Sequence, residues 1–273
     1  MDRHTTSETD RRGTTEADQR GRPAMDRRAI SEVLGFALVF GLIVSLVILV
    51  SVVGFDELED TRDREELNNA ERAFDVLADN MRDIHAEGAP SRATEINLES
   101  ARLEVGEPIS INVTGVNQTG ASFDNVFTSQ PIVYASGDST LVYAGGAVFR
   151  TQGDGGFAVN EPPFVLNSKR VVLPIVQTRH QGEVTSTSGS TVRVRAENRQ
   201  RQLVRGFNES PTSFDKIIIN ITSPRSNLWR DYLTSQNGVT NCTQPRPNNI
   251  RCTIDNPQSV FASRTLVNYA FES

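Results

Sequence analysis

The chain has 273 residues, 37% of them hydrophobic and 23% charged, and a formal net charge of −6. That length leaves room for one sizeable globular domain beside one apolar segment. The positive charges are scattered arginines, with Lys169 and Lys216 the only lysines, so the basic patch with interleaved aromatics that nucleic-acid binding needs is absent from the sequence, and no nucleic-acid partner is expected.

Residues 1–28 form a polar leader of mixed charge, nearly free of large apolar side chains. Such a segment cannot bury a core and is predicted to be disordered. Met25 stands just before the Arg27–Arg28 pair, so translation starts at either Met1 or Met25. From Val33 to Phe55 no residue is charged. A helix over that run spans roughly 35 Å at about 1.5 Å per residue, enough for the hydrocarbon core of a bilayer. A cleaved secretory signal has a shorter apolar region and a small-residue cleavage site beyond it, whereas this run ends in the acidic "GFDELED". Arginines precede the run and carboxylates follow it, which places the N-terminus in the cytoplasm and the C-terminal part outside, in a single-pass arrangement.

Residues 56–92 hold twelve Asp or Glu against five Arg, so the acidity of the chain is concentrated there. Within that segment Leu67, Ala70, Phe74, Leu77, Met81 and Ile84 follow at alternating steps of three and four. The spacing predicts an amphipathic helix with one narrow apolar stripe, ended by Gly88 and Pro90. Nothing stronger than Gly54 interrupts the path from the apolar run, so residues 31–87 read as one long helix, bent or straight, with two separate helices as the alternative. The organisation expected is a 29–55 transmembrane and assembly helix, a 56–90 amphipathic stalk and a 91–273 β-rich extracellular head.

From Thr94 the pattern changes to short runs rich in Val, Ile, Thr, Tyr and Phe: "EINLE", "PISINVT", "DNVFTS", "PIVYAS", "TLVYAGGAVFR", "RVVLPIVQT", "STVRVRAE", "FDKIIINIT" and "RTLVNYAFE". Gly, Asn, Asp, Ser and Pro clusters separate them, which predicts an antiparallel β-sandwich or barrel. The fold class is therefore α+β. In "SPRSNLWRDYLTSQNG" a short helix is expected, with Ser223 as N-cap, Pro224 at the first helical position, Gly238 just past the end and Trp229 packed on the sheet. In an exported domain Cys242 and Cys252 close a small disulfide loop, with two reduced cysteines as the alternative.

The junction "RRAISEVLGF", a basic residue, a small residue, then Ile-Ser before a membrane-length helix, resembles the class III signal of archaeal type IV pilins and archaellins. Within it Arg28, Ala29 and Ile30 are the residues that match. The resemblance implies a prepilin peptidase as partner, cutting on the cytoplasmic side after Ala29 and leaving the helix on the mature protein; a cut after Arg28 is the competing register. It also implies helices bundled in a filament core, β-rich heads outside, and copies of the chain or other pilin-like subunits as partners. The opening is similar to the "AVSPVIG" type of haloarchaeal pilins, with Glu32 and Val33 standing where that pattern has Pro and Val. In bacterial pilins a nearby glutamate neutralises the terminal amine of a neighbouring subunit. Glu32 falls earlier than that position, and is either paired with the ammonium of Ile30 or a solvated carboxylate at the interface.

Gly41 and Ser45 lie four residues apart, a small-xxx-small pair that lets helices approach closely. Asn-x-Ser/Thr triplets begin at Asn112, Asn117, Asn208, Asn220 and Asn241, each a candidate glycan acceptor on an exported face, with Asn117 in "TGVNQTG" favoured as a turn.

No catalytic residue, metal site or cofactor is expected. His180 is the lone histidine of the β-rich region and no "GxSxG" elbow accompanies it, while the glycines of "YAGGAVFRTQGDGGF" lack the following helix and Lys of a phosphate loop. Asp154 and Glu161 are the acidic pair considered for a cation or glycosidase site. The function expected is a non-enzymatic pilin-like surface protein, processed and used for adhesion. The rivals are an uncleaved single-pass anchor displaying a carbohydrate- or protein-binding β-sandwich, and a membrane-tethered hydrolase using His180.

Overall fold

The computed structural model describes residues 27–118, 120–153, 155–189, 191–206 and 214–272, for 27–31, 52–63, 121 and 122 the backbone alone. The leader up to residue 26, Asp154 and Asn208 lie outside the described residues. The chain divides into two units, Met1–Glu59 and Asp60–Ser273.

Helix α1 is Arg27–Arg82, and its first part belongs to the first unit. Glu32–Ser51 has a mean hydropathy of 3.0 and none of it is buried, so by length and composition it can cross a membrane. Val and Ile are mediocre helix formers in water; where no water can hydrogen-bond the backbone, a helix satisfies every peptide group internally and their propensity matters little.

In the second unit α1 continues to Arg82 and widens into a single π-helical turn, Asp83–Glu87. Gly88 ends it with φ of 83°, a left-handed conformation that glycine adopts without a Cβ penalty. Arg201 donates to the free carbonyls of His85 and Ala86 at this end. The stop at Gly88 and Pro90 is where the sequence places it.

The strands follow in order: β1 (Ser91–Asn97), β2 (Arg102–Val105), β3 (Ile109–Asn117), β4 (Gly120–Ser129), β5 (Ile132–Ser136), β6 (Ser139–Ala144), β7 (Ala147–Gln152), β8 (Gly155–Asn160), β9 (Val165–Leu166), β10 (Arg170–His180), β11 (Ser186–Ser188), β12 (Thr191–Arg205) and β13 (Lys216–Thr222). Helix α2 (Ser226–Ser235) then precedes β14 (Asn241–Arg246), β15 (Asn249–Asp255) and β16 (Ser259–Glu272). They form three sheets, in the orders β1-β12-β16-β10-β9, β11-β2-β5-β6-β7-β8 and β14-β15-β13-β3-β4.

The head is thus mostly antiparallel with sandwich-like sheets, and two features go beyond the expected antiparallel sandwich or barrel. Among the described residues there are three sheets, and β10 runs parallel to β16 from Arg170 opposite Ser259 to His180 opposite Tyr269. No hairpin joins β10 and β16, so nothing local forces them antiparallel, and the chain between them builds other strands as a long crossover.

Two cores explain the layering. One joins α1 to β1, β2, β5, β6, β12 and the second half of β16, through Phe74, Met81, Ile96, Leu103, Tyr134, Leu141, Val194 and Tyr269. The other joins α2 to the third sheet and the opposite face of the second, through Ile111, Ile219, Ile250, Phe149 and Trp229. The second sheet is therefore covered on both faces, which is why β6 and β7 read as near-continuous buried runs rather than alternating ones. The β6–β7 hairpin turns at Gly145 and Gly146, with φ of 60° and 91°, as a two-residue hairpin loop requires. Those glycines are turn residues, as expected.

Helix α2 starts later than the sequence suggests. Arg225 occupies the cap position without a side-chain cap bond, and Ser223 instead accepts from the Arg225 N–H at 3.1 Å, closing a turn that Pro224 pre-shapes. Gly238 is not a left-handed cap: its N–H donates to Leu166 O at 3.1 Å, and a Cβ there would run into the backbone of Asn167. Trp229 is fully buried against Phe149, edge to face at 5.1 Å.

Candidate functional site

The residues singled out for processing, Arg28, Ala29 and Ile30, form the first turn of α1 immediately before the apolar run. Glu32 is exposed at the start of that run. Gly41 has open space where a Cβ would stand, and the Ser45 hydroxyl donates back to Gly41 O at 2.7 Å. That bond satisfies the hydroxyl within the helix. Ala37 lies one turn before Gly41, so the small face is longer than the pair alone, and the rings of Phe36 and Phe40 stack 6.0 Å apart on another face.

Every residue of the predicted stripe is buried: Leu67, Ala70, Phe74, Leu77, Met81 and Ile84 are at most 5% exposed. They pack on the first two sheets, as an amphipathic helix placed beside two apolar faces should. Beside the stripe, Glu66 is 3% exposed and accepts from the Tyr134 hydroxyl at 3.0 Å and from Ser100 Oγ at 2.7 Å. Desolvation, together with the hydrogen bond to Glu66, pushes the Tyr134 phenol well above its ordinary range. On the neighbouring face Arg150 and Glu71 form a half-buried ion pair at 2.9 Å. Asp75, one turn further, is raised by burial first and by Glu71 second, against a hydrogen bond from Asn160. None of these polar anchors follows from apolar periodicity; the one available signal is a carboxylate standing directly beside the stripe.

His180 neither points into solvent nor meets a carboxylate. Its ring packs against Tyr269 at 5.3 Å and Phe271 at 5.5 Å, Nε2 is buried without a hydrogen-bond partner, and its backbone N–H donates to Gln130 Oε1 at 2.9 Å. Burial lowers its pKa, opposed by a backbone hydrogen bond involving Val184. The ring is an aromatic packing element at the end of β10. Among the described residues no group of three His, Cys, Asp or Glu is placed to hold a metal ion. A cleft of about 480 Å³ has Arg64, Leu67, Asp138, Arg150 and Gln152 in its wall, but Arg150 is committed to Glu71.

In the third sheet Cys242 on β14 and Cys252 on β15 stand directly opposite and form a disulfide, with Cα atoms 4.1 Å apart. The sheet also gathers sequon asparagines. Asn112 on β3 and Asn220 on β13 are cross-strand partners, and Asn241 opens β14. Asn117 closes β3 at the hairpin to β4.

A family model described as DUF7289, a family of unknown function, matches residues 28–269. The chain belongs to that family. The DUF7289 match runs from the first turn of α1 into β16, so the apolar helix, the buried stripe and the β-rich head all fall within one family unit. No curated protein and no solved structure matches the chain.

Proposed function

We propose that this DUF7289 protein is a non-enzymatic, pilin-like cell-surface protein of an archaeon, held by a single membrane-spanning helix with its N-terminus in the cytoplasm and its head outside. A prepilin peptidase cuts after Ala29, and the helix stays on the mature chain as an anchor and assembly element for adhesion or another surface contact. The observation that carries this reading is the junction itself: Arg28, Ala29 and Ile30 directly precede an apolar, fully exposed helix whose continuation α1 supplies the core of a β-rich head. The small face of Ala37, Gly41 and Ser45 supports close approach of a second helix.

N-terminal mass spectrometry of the membrane fraction, with and without prepilin peptidase, tests it. A mature chain beginning at Ile30 only when the peptidase is present is the expected result. A chain that still begins at Met1 or Met25 in its presence sinks the proposal. One observation favours the rival of an uncleaved anchor displaying a binding domain. Ser45 bonds to Gly41 O within its own helix, so the small pair needs no neighbouring helix to satisfy it.

A further inference from the structure

The third sheet holds three sequon asparagines, and the strands treat them differently. Asn220 lies on β13, paired on both sides by β15 and β3, and its Oδ1 is buried without a partner. Asn112, its half-buried cross-strand partner, lies on β3 between β13 and β4. A transferase cannot lift either sequon without opening a ladder on two sides. Asn241 differs, because β14 is an edge strand and both Asn241 and Thr243 are exposed. In a strand, residues two apart share a face, so the amide and the hydroxyl that define the sequon are presented together. The hold of β14 on β15 is short: the register shifts between Thr243 and Arg246, and Pro245 between them has no N–H to give.

Thr243 Oγ1 donates to Arg251 O and Thr253 Oγ1 to Asn241 O across this edge, and the strongest hold on it is covalent. The middle residue of the sequon is Cys242, bonded to Cys252, which is 1% exposed in the core. While that bond exists the sequon backbone cannot leave β15; once it is absent, an edge strand with so few ladder bonds opens locally at low cost. We infer that Asn241 is a glycan acceptor whose modification is gated by the Cys242–Cys252 disulfide, so that glycan addition precedes ring closure. In the reaction Asn241 Nδ2 attacks the anomeric carbon of a phosphate-activated glycan. The new N–C bond forms as the C–O bond to phosphate breaks, the phosphate leaves with that electron pair, and a base on the transferase takes the Nδ2 proton. The inference rests on the reading that the head lies on the exported side.

The test is glycopeptide mapping of the full chain, made in a host with an exported N-glycosylation pathway, over the peptide Asp231 to Arg251. Wild type is expected to carry glycan mass at Asn241, Asn241→Gln to lose it, and Cys242→Ser, which keeps the sequon, to show higher occupancy. If Cys242→Ser does not fold, wild type grown with a thiol reductant supplies the same comparison. An unmodified Asn241 in both states overturns the inference, and equal occupancy in both overturns the gate. Labelling of reduced cells with a membrane-impermeant maleimide separates the two failures. Cysteines reached in intact cells beside an unmodified Asn241 sink the acceptor alone, whereas cysteines reached only after lysis sink the topology.

Discussion

Among the described carboxylates of α1, Glu66 is the most deeply buried, and it accepts from two neutral donors, Tyr134 and Ser100. Removing it leaves the buried Tyr134 hydroxyl in a place water does not reach, at a cost of about 1–3 kcal/mol, while the exposed Ser100 can turn its hydroxyl to solvent. Glu66→Ala is expected to lower the urea midpoint accordingly, and a double-mutant cycle with Tyr134→Phe to show coupling between the two sites. Additive effects would mean that the hydrogen bond contributes nothing. His85 gives a pH-dependent counterpart. Burial first, then Arg82 and Arg201, lowers its pKa from 6.5 to about 4. The native state therefore binds fewer protons than the unfolded chain between those values. Stability is full above 6.5 and is lost as pH falls towards 4. His180 is shifted in the same direction, while Asp75, raised in the fold, acts in the opposite sense. The readout is thus the difference between proteins: His85→Asn should lose less melting temperature than wild type on acidification, and parallel curves would refute the assignment. Neither residue declares its role in the sequence, since periodicity records where apolar side chains recur and says nothing about which polar group is drawn in beside them.

At the scale of elements, the stripe from Leu67 to Ile84 was legible because a helix buried along one side must repeat its apolar residues at its own period. Phe74 is its centre, fully buried and edge to face with Tyr134 at 6.3 Å. Phe74→Ala is expected to cost about 3–5 kcal/mol, measured by denaturant unfolding. Val76, on the same helix but 52% exposed, serves as the control, its alanine variant falling within about 0.5 kcal/mol of wild type. The strands were legible where one face is buried and the other wet. They were illegible at β2, β8, β9, β11 and β14, which are short, glycine-rich or, in β14, polar and interrupted by Pro245, and stand at or near sheet edges, where burial imposes little alternation. β15 is a different failure: Ile250, Cys252 and Ile254 alternate cleanly, but asparagines, Arg251 and a proline-rich approach disguised them as a loop. The β10–β16 pair lies beyond any local pattern, because parallel pairing joins segments whose contact no turn between them reports. The disulfide between β14 and β15 closes a small loop, so Cys242→Ser with Cys252→Ala should destabilise the head by roughly 2–3 kcal/mol while its far-ultraviolet dichroism stays β-rich.

At the scale of the molecule, α1 belongs to both units, and this makes the boundary of the head a physical question. The β-rich sheets do not complete their own interior: Ile96, Leu103, Tyr134, Tyr143, Val194 and Phe271 lie in the core that Phe74, Leu77 and Met81 fill from α1. A head cut at the first strand would expose that whole face, and exposed apolar surface of such extent drives association. The division of the chain at Glu59 and Asp60 instead keeps every stripe residue with the sheets. Two truncations separate these cases. A chain of residues 60–273 keeps the stripe and loses the apolar Glu32–Ser51 run, and is expected to be soluble without detergent and to unfold in one cooperative transition. A chain starting at Ser91 keeps every strand and loses the stripe, and is expected to aggregate or to bind a hydrophobic dye without a cooperative transition. Size-exclusion chromatography and thermal unfolding read both. If the chain from Ser91 proved as soluble and as cooperative as the longer one, α1 would be an appendage of the head, and the stripe would have to find its partner elsewhere. If instead only the longer chain folds, the second part of α1 is part of the head, because its stripe closes a core that the sheets cannot close alone.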